Sequence, residues 1–331
     1  MTDRTIEALA SEQLNYEDAV AQSAALIRQL LKSAPLALRK MTVHLSGAPG
    51  KMIRAKALLA CALGENEVVA AGAVKAAASV ELIHLATLVH DDVIDQADKR
   101  RGIQALHQKF GQKYAVLCGD WLLCAALELV SSIEPMEGGR EEISRIFPSY
   151  MTEVCLGEIR QNQNMHNYRL SERQYFQTIR GKTAALFEAS LYAGHLFSGE
   201  PAMLGEIYRE IGDSIGLIFQ LADDCADYES TQKETKKPVL SDCSAGVITL
   251  PLIYALKKNS ALKGQIEKGM DPALLKQAVT VAGGLHYTHE KIRRLHQDTA
   301  RLIKVLDISP GKSTLLERLL DLAAGKTPAA G

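Results

Sequence analysis

A basic field is the first thing missing. The formal net charge over 331 residues is −1, so the sequence-independent attraction that nucleic-acid binding needs is absent. Zinc-type thiol spacing is missing too. The six cysteines (Cys61, Cys118, Cys124, Cys155, Cys225, Cys243) form no CxxC pair and no His/Cys cluster. Their apolar helical surroundings predict mostly small core residues. No long apolar run is clear of charge. Val68–Val89, the most apolar, carries Lys75, Glu81 and His84, so it reads as a buried core helix and not a membrane crossing. The opening Met-Thr-Asp-Arg-Thr-Ile-Glu lacks the basic-then-apolar order of a signal peptide. These absences predict a cytoplasmic protein that neither spans a membrane nor binds nucleic acid. Alternating strand patterns are scarce, and no linker or short-period repeat divides the chain.

Helical periodicity is what remains. It predicts helices over Tyr16–Ala34, Leu36–Leu45, Met52–Leu63, Glu67–Ile94, about Lys113–Ser132, Glu141–Asn164, Ser171–Ser198, Ala202–Tyr228, Thr249–Lys258, Asp271–Val305 and Lys312–Leu322. Ser171-Glu-Arg-Gln174 has the form of a capping box. Loops are expected at Ser46–Lys51, through the arginines after Ile94, at Pro135–Arg140 and over the polar stretch Glu229–Ser244. Long helices joined by short loops predict one all-α, antiparallel bundle around a central cavity. It is expected to fill residues 1–331 as a single domain, with flexible ends near 1–14 and 325–331.

The helix ending at Ile94 leads into Asp91, Asp92 and Asp95, then Arg100 and Arg101. At about 100° per residue the three carboxylates share roughly a third of the helix circumference. Carboxylates this close repel unless a cation joins them, and hard oxygen donors suit magnesium with its waters and substrate phosphates. The flanks Leu82, Ile83, Leu85, Leu88, Val89, Val93 and Ile94 are too apolar for a solvated face. The pattern recurs as Asp223, Asp224 and Asp227. Two metal-binding helix ends facing across a cavity would clamp one polyphosphate. Guanidinium and ammonium groups suited to phosphate stand at Lys51 and Arg54, three apart at an expected helix start, and at Gly181-Lys-Thr183. By itself the Lys51/Arg54 pair reads as a solvated charge pair, and His84 as a core histidine bonded to a neighbour.

Taken together these stretches resemble the trans-isoprenyl diphosphate synthases, the polyprenyl synthetase family, and most of all its medium- and long-chain members. The resemblance rests on Gly50-Lys51…Arg54, Glu81 to Asp95, Arg100-Arg-Gly102, Gly119-Asp120, Gly157-Glu-Ile-Arg-Gln161, Gly181-Lys-Thr183, Phe219-Gln220 to Asp227, Lys237-Pro238 and Thr249-Leu-Pro251, across about residues 15–325. It implies an all-α isoprenoid-synthase bundle around a deep apolar cavity, usually a homodimer, with a heterodimer as the alternative. The implied substrates are isopentenyl diphosphate and an allylic diphosphate. Asp91, Asp92, Asp95, Asp223, Asp224 and Asp227 would hold magnesium, three ions per site, on the allylic diphosphate. Arg100, Lys182 and Lys237 would contact that diphosphate. Lys51, Arg54, His84 and Arg101 would bind isopentenyl diphosphate. Thr183 and Gln220 would face the developing carbocation.

Product length is expected to follow the face of the Asp91 helix running back through Thr87, Ile83, Val80, Ala76 and Ala73, with Ala86 beside it. One turn rises about 5.4 Å, close to one extended isoprene unit, so small residues there predict a product of about thirty to forty carbons. Close helix packing is the competing reading of this stripe. A geranylgeranyl or farnesyl diphosphate synthase is the nearer functional alternative. A class I terpene cyclase and a modulatory subunit of a heteromeric synthase are the alternatives of other classes.

Overall fold

The computed structural model describes residues 14–133, 140–229 and 240–326. Among them the chain is all-α apart from two two-residue strands. Helices α1 (Tyr16–Lys32), α2 (Leu36–Ser46), α3 (Ile53–Cys61) and α4 (Ala71–Ile94) come first. The loop expected after α4 holds an antiparallel hairpin, β1 (Lys99–Arg100) and β2 (Ile103–Gln104), and a short helix, α5 (Leu106–Phe110). Then follow α6 (Gln112–Ser131), α7 (Arg140–Gln163), α8 (Glu172–Ile179), a π-helical segment (Arg180–Ala184), α9 (Ala185–His195) and α10 (Gly205–Glu229). The last elements are α11 (Ser241–Ala245), α12 (Leu250–Lys258), α13 (Leu262–Glu267), α14 (Pro272–Val281), α15 (Gly284–Val305) and α16 (Pro310–Ala323). The expected loop at Pro135–Arg140 falls mostly outside the described residues, as do the expected flexible ends at residues 1–13 and 327–331.

Local signals explain many boundaries. Asn15 opens α1 by accepting the Asp18 N–H, and the Ser171/Gln174 capping box opens α8 as predicted. Other expectations are corrected. The single helix expected over Ser171–Ser198 widens into a π turn at Arg180–Ala184, which apolar spacing does not register. The helix expected over Asp271–Val305 breaks at Gly283, where φ is +81°. The helix expected from Glu67 starts at Ala71, because Val69 pairs instead with Leu14. Only Cys61, Cys118 and Cys225 are buried, whereas Cys124 and Cys155 are exposed.

The chain divides into two compact units. The first comprises Met1–Ser149, Ala189–Arg209 and Ile308–Leu316; the second comprises Tyr150–Glu188, Glu210–Asp307 and Glu317–Gly331. Within the first, α4 packs against α1, α3, α5 and α6. It is apolar nearly all round, with Ala73, Val74, Ala76, Ala77, Val80, Leu82, Ile83 and Ala86 at 0–1 % exposure. Burying a side chain such as Leu82 or Ile83 contributes about 1.5–3 kcal/mol. Within the second, α12 packs against α8, α13, α14 and α15.

A buried ionic cluster also lies in the first unit. Lys312 is 1 % exposed and donates to Glu200 at 2.5 Å and to the Leu63 carbonyl at 3.3 Å. The Tyr208 hydroxyl donates to Glu200 at 2.7 Å. Burial pushes the Glu200 carboxyl up, but His195, whose Nδ1 lies 3.5 Å away, and the Lys312 hydrogen bond and charge outweigh it and hold it at about 2. A lowered carboxyl contributes stability above its unfolded value and loses it as pH falls. Glu200→Ala is therefore expected to cost about 3 kcal/mol near neutrality, because Lys312 stays buried without its carboxylate. Urea unfolding should show that gap closing as pH falls from about 4.5 towards about 2. A gap that stays constant across this range would exclude the ion pair as its cause.

Candidate functional site

The first acidic cluster closes α4. Asp92 is 3 % exposed, while Asp91 is half-buried and Asp95 is exposed at the helix cap. Asp92 is anchored by Arg100, whose Nε and Nη2 lie 2.8 and 2.5 Å from the same carboxylate oxygen, Oδ1. The hairpin places Arg100 there. Its two loop residues, Arg101 and Gly102, both have positive φ (+50° and +82°), as the tightest hairpin turns require. Arginine is uncommon in that conformation, which marks a locally costly turn held by its surroundings.

Around His84 the same unit gathers positive charge. Burial, then Arg54, Arg101 and Arg100, push its imidazole well below the usual histidine range, so it is neutral near pH 7. Burial also lowers Arg54 to about 10, with Glu81 opposing and Arg101 adding to the shift. Glu81 is buried beside them and accepts the Ala55 N–H at 3.0 Å, tying α4 to α3. The Arg101 guanidinium packs against Gly50, where a Cβ would come within 2.7 Å of it. Guanidiniums that crowd a neutral histidine repel one another, and an anion entering among them relieves that repulsion. A small cavity nearby is lined by Leu45, Leu85, Leu88, Val89, Asp92, Arg100 and Arg101, among others. Lys51 departs from the sequence expectation. Met52 is left-handed (φ +54°) and α3 starts at Ile53, so Lys51 lies outside the helix and helical spacing does not join it to Arg54. Lys51 is exposed and Arg54 is 8 % exposed.

Further back on α4, Ile83 and Ala86 are fully buried. Thr87 is half-buried, its hydroxyl donating to the His84 carbonyl at 2.9 Å.

The second acidic cluster lies near the end of α10, in the other unit. Asp224 is 2 % exposed, Asp227 is half-buried and Asp223 is exposed. Both Asp224 oxygens are engaged: Gln220 Nε2 donates to Oδ1 at 2.8 Å, and the Tyr175 hydroxyl donates to Oδ2. Burial, and then the Asp242 charge, push this carboxyl well above the usual range. Asp227 accepts the Asp242 N–H at 3.2 Å. Gln220 Oε1 in turn accepts from the Thr183 hydroxyl at 2.6 Å. Lys182 and Thr183 stand on the π turn, a backbone irregularity frequent at functional sites. Gly157 of α7 meets that turn so closely that a Cβ would lie 2.1 Å from the Lys182 nitrogen. The contact sets Glu158 beside Lys182, carboxylate to ammonium at 2.7 Å.

One design appears in both units. The middle aspartate of each triplet is buried and anchored, and its neighbours are more open. Both triplets also close the C-terminal ends of long helices, where the macrodipole adds negative potential. Such ends call for cations. Among the described residues no three His, Cys, Asp or Glu side chains converge into a ready-made cage.

The structure thus brings Arg54, His84, Arg100 and Arg101 together in one unit, and Thr183, Gln220 and Asp224 in the other. Lys237 lies outside the described residues. Sequence reasoning missed Tyr175 as a partner of Asp224. Its hydrogen bond spans 49 residues of chain, and no local spacing announces it.

The polyprenyl synthetase family model matches residues 35–281. Heptaprenyl diphosphate synthase component 2 of Bacillus subtilis (strain 168) is 37 % identical over 244 residues, 73 % of this chain and 67 % of that one. Among solved structures, heptaprenyl diphosphate synthase from Staphylococcus aureus aligns with a TM-score of 0.86 at 28 % identity, covering 95 % of this chain and 99 % of that one. A polyprenyl synthase from Caulobacter crescentus CB15, complexed with calcium and isoprenyl diphosphate, aligns with a TM-score of 0.83 at 28 % identity, covering 94 % and 95 %.

Proposed function

The chain belongs to the polyprenyl synthetase family and is a trans-prenyltransferase, and on that premise we propose that it extends an allylic diphosphate with isopentenyl diphosphate to an all-trans product of about thirty to forty carbons. The observation that carries this reading is the pair of acidic helix ends, each with an anchored middle aspartate, together with the neutral His84 among three arginines. The family depends on a divalent metal. Here Asp91, Asp95, Asp223 and Asp227 would hold magnesium, three ions in all, with Asp92 and Asp224 as anchors or ligands through water. Bound there, the metal would supply Lewis-acid stabilisation of the leaving diphosphate.

The chain's own groups do the rest. The allylic C–O bond breaks and its electron pair leaves with the diphosphate. Arg100, Lys182 and Lys237 would meet the charge as it develops. Lys182 exchanges its Glu158 partner for that anion. Lys51, Arg54, Arg101 and neutral His84 hold isopentenyl diphosphate, whose double bond attacks the cation. Oxygen atoms of Thr183 and Gln220 face the positive carbon. A proton then leaves the new chain for the departing diphosphate. Buried apolar residues such as Ile83, Ala86 and Val89 exclude the water that would quench the cation.

The chain acts as one catalytic domain, in the cytoplasm, as a homodimer. The exposed face of α6 supports the last point: Tyr114 (58 % exposed), Leu117 (50 %) and Leu127 (37 %) leave apolar surface that a second copy would cover. The name of the Bacillus relative, a component 2, keeps a dissimilar partner as the second reading. One experiment addresses both. The protein, purified alone, is incubated with magnesium, isopentenyl diphosphate and each allylic starter, and products are read by mass. Chain extension is expected. Consumption of an allylic diphosphate without isopentenyl diphosphate would indicate a cyclase, and extension only with an added second chain would indicate a heteromer.

A further inference from the structure

We infer that Tyr175 is a positioning residue: through Asp224 it holds Gln220 and Thr183 with their oxygen atoms turned to the reacting carbon. The inference rests on the prenyl-transfer reading above. Three helical segments meet in one polar relay. The Tyr175 hydroxyl, from α8, donates to Asp224 Oδ2 on α10. Asp224 Oδ1 accepts from Gln220 Nε2 at 2.8 Å, and Gln220 Oε1 accepts from Thr183 Oγ1, on the π turn, at 2.6 Å.

The direction of this relay matters. Asp224 accepts at both oxygens here, Oδ2 from Tyr175 and Oδ1 from Gln220, and this pair of bonds sets which way the Gln220 amide points: nitrogen to Asp224, oxygen to Thr183. Thr183 must then donate its proton to Gln220, which leaves its lone pairs facing away from that bond. A cation is stabilised by those lone pairs and opposed by an N–H or O–H. If Asp224 turns, the amide can flip, Thr183 becomes an acceptor, and its proton is free to turn into the site. Tyr175 prevents this by occupying the other Asp224 oxygen from a different helix. At 3 % exposure the Tyr175 ring is positioned to act through Asp224 and not on substrate. Its ring also packs edge-on against Phe176 with centroids 5.5 Å apart, a contact that phenylalanine retains.

Tyr175→Phe tests the relay. The expected result is a fall in kcat of about tenfold to thirtyfold with KM for both diphosphates within about twofold. Calorimetric binding of inorganic diphosphate with magnesium should stay within about threefold, because the more open Asp223 and Asp227 are untouched. In a Thr183→Val background the same change should cost less than about threefold, since a broken relay cannot be broken again. Wild-type kcat in Tyr175→Phe, a fully multiplicative double variant, or loss of diphosphate binding would each overturn the proposal. Should Tyr175→Phe not fold, Gln220→Met interrupts the same relay, and wild-type turnover there would also overturn it. The reaction itself is tested separately. A wild-type protein that leaves isopentenyl diphosphate unconsumed refutes the prenyl-transfer reading. A normal wild type beside an equally fast Tyr175→Phe refutes only the role of Tyr175.

Discussion

Asp91→Ala and Asp223→Ala are each expected to lower turnover at least about a hundredfold, the scale of losing one preorganised group where transition-state charge develops. The two positions are the more open members of their triplets, so each is placed to reach a cation that also holds the diphosphate. Each replacement leaves the anchored middle aspartate of its triplet in place, so the fold should persist while activity falls. Melting curves then separate loss of a metal ligand from loss of fold. Asp92→Ala and Asp224→Ala should behave differently, losing activity and stability together, because Arg100 and Gln220 lose buried partners. Steady-state kinetics at saturating magnesium, with melting curves on the same preparations, decide the matter. Near-normal turnover in either Asp91→Ala or Asp223→Ala would remove the basis of the mechanism.

Ala86→Phe is expected to shorten the product to about fifteen or twenty carbons while leaving the first condensation intact, the new ring standing about 7.5 Å below Asp91 along α4. Ala86 is fully buried, and the positions below it (Ile83, Val80, Ala76 and Ala73) are equally closed to solvent. Two readings of that stripe predict different outcomes. If the growing tail runs along this face, phenylalanine blocks it and chromatography shows a shorter product. If the alanines serve only to let helices approach, the ring overpacks the core at a cost of about 1–3 kcal/mol and product length is unchanged. Product chromatography and a melting curve from one preparation therefore test the assignment of Ala86, Thr87 and Ile83 to chain length.

Several features of this protein were legible before any coordinates. Helical periodicity is local, so the all-α class and most helix ends follow from it, and a capping box at Ser171 needs only four residues to be recognised. The aspartate triplets are local too, because a spacing of one and then three residues brings carboxylates to one side of a helix wherever that helix lies. The anion-binding character of Arg100 and Arg101 follows from their side chains alone.

Other features required the tertiary structure. That Asp92 and Asp224 are anchors depends on Arg100 and Tyr175, partners 8 and 49 residues away. The neutrality of His84 depends first on its burial and then on three arginines from α3 and the hairpin, whose charges act through space and not along the chain. The same spacing rule that found the aspartates failed at Lys51. A left-handed Met52 takes it off the helix, and no periodicity in side-chain polarity reports the sign of φ. The π turn under Lys182 and Thr183 follows the same logic: backbone bonds that reach one residue further leave composition unchanged and are recorded only in the backbone. Sequence by itself determined which chemical groups this protein carries and which lie near one another on a helix. The tertiary structure decided which of them are buried, paired and held still, because burial and long-range hydrogen bonds depend on neighbours that the local pattern does not contain.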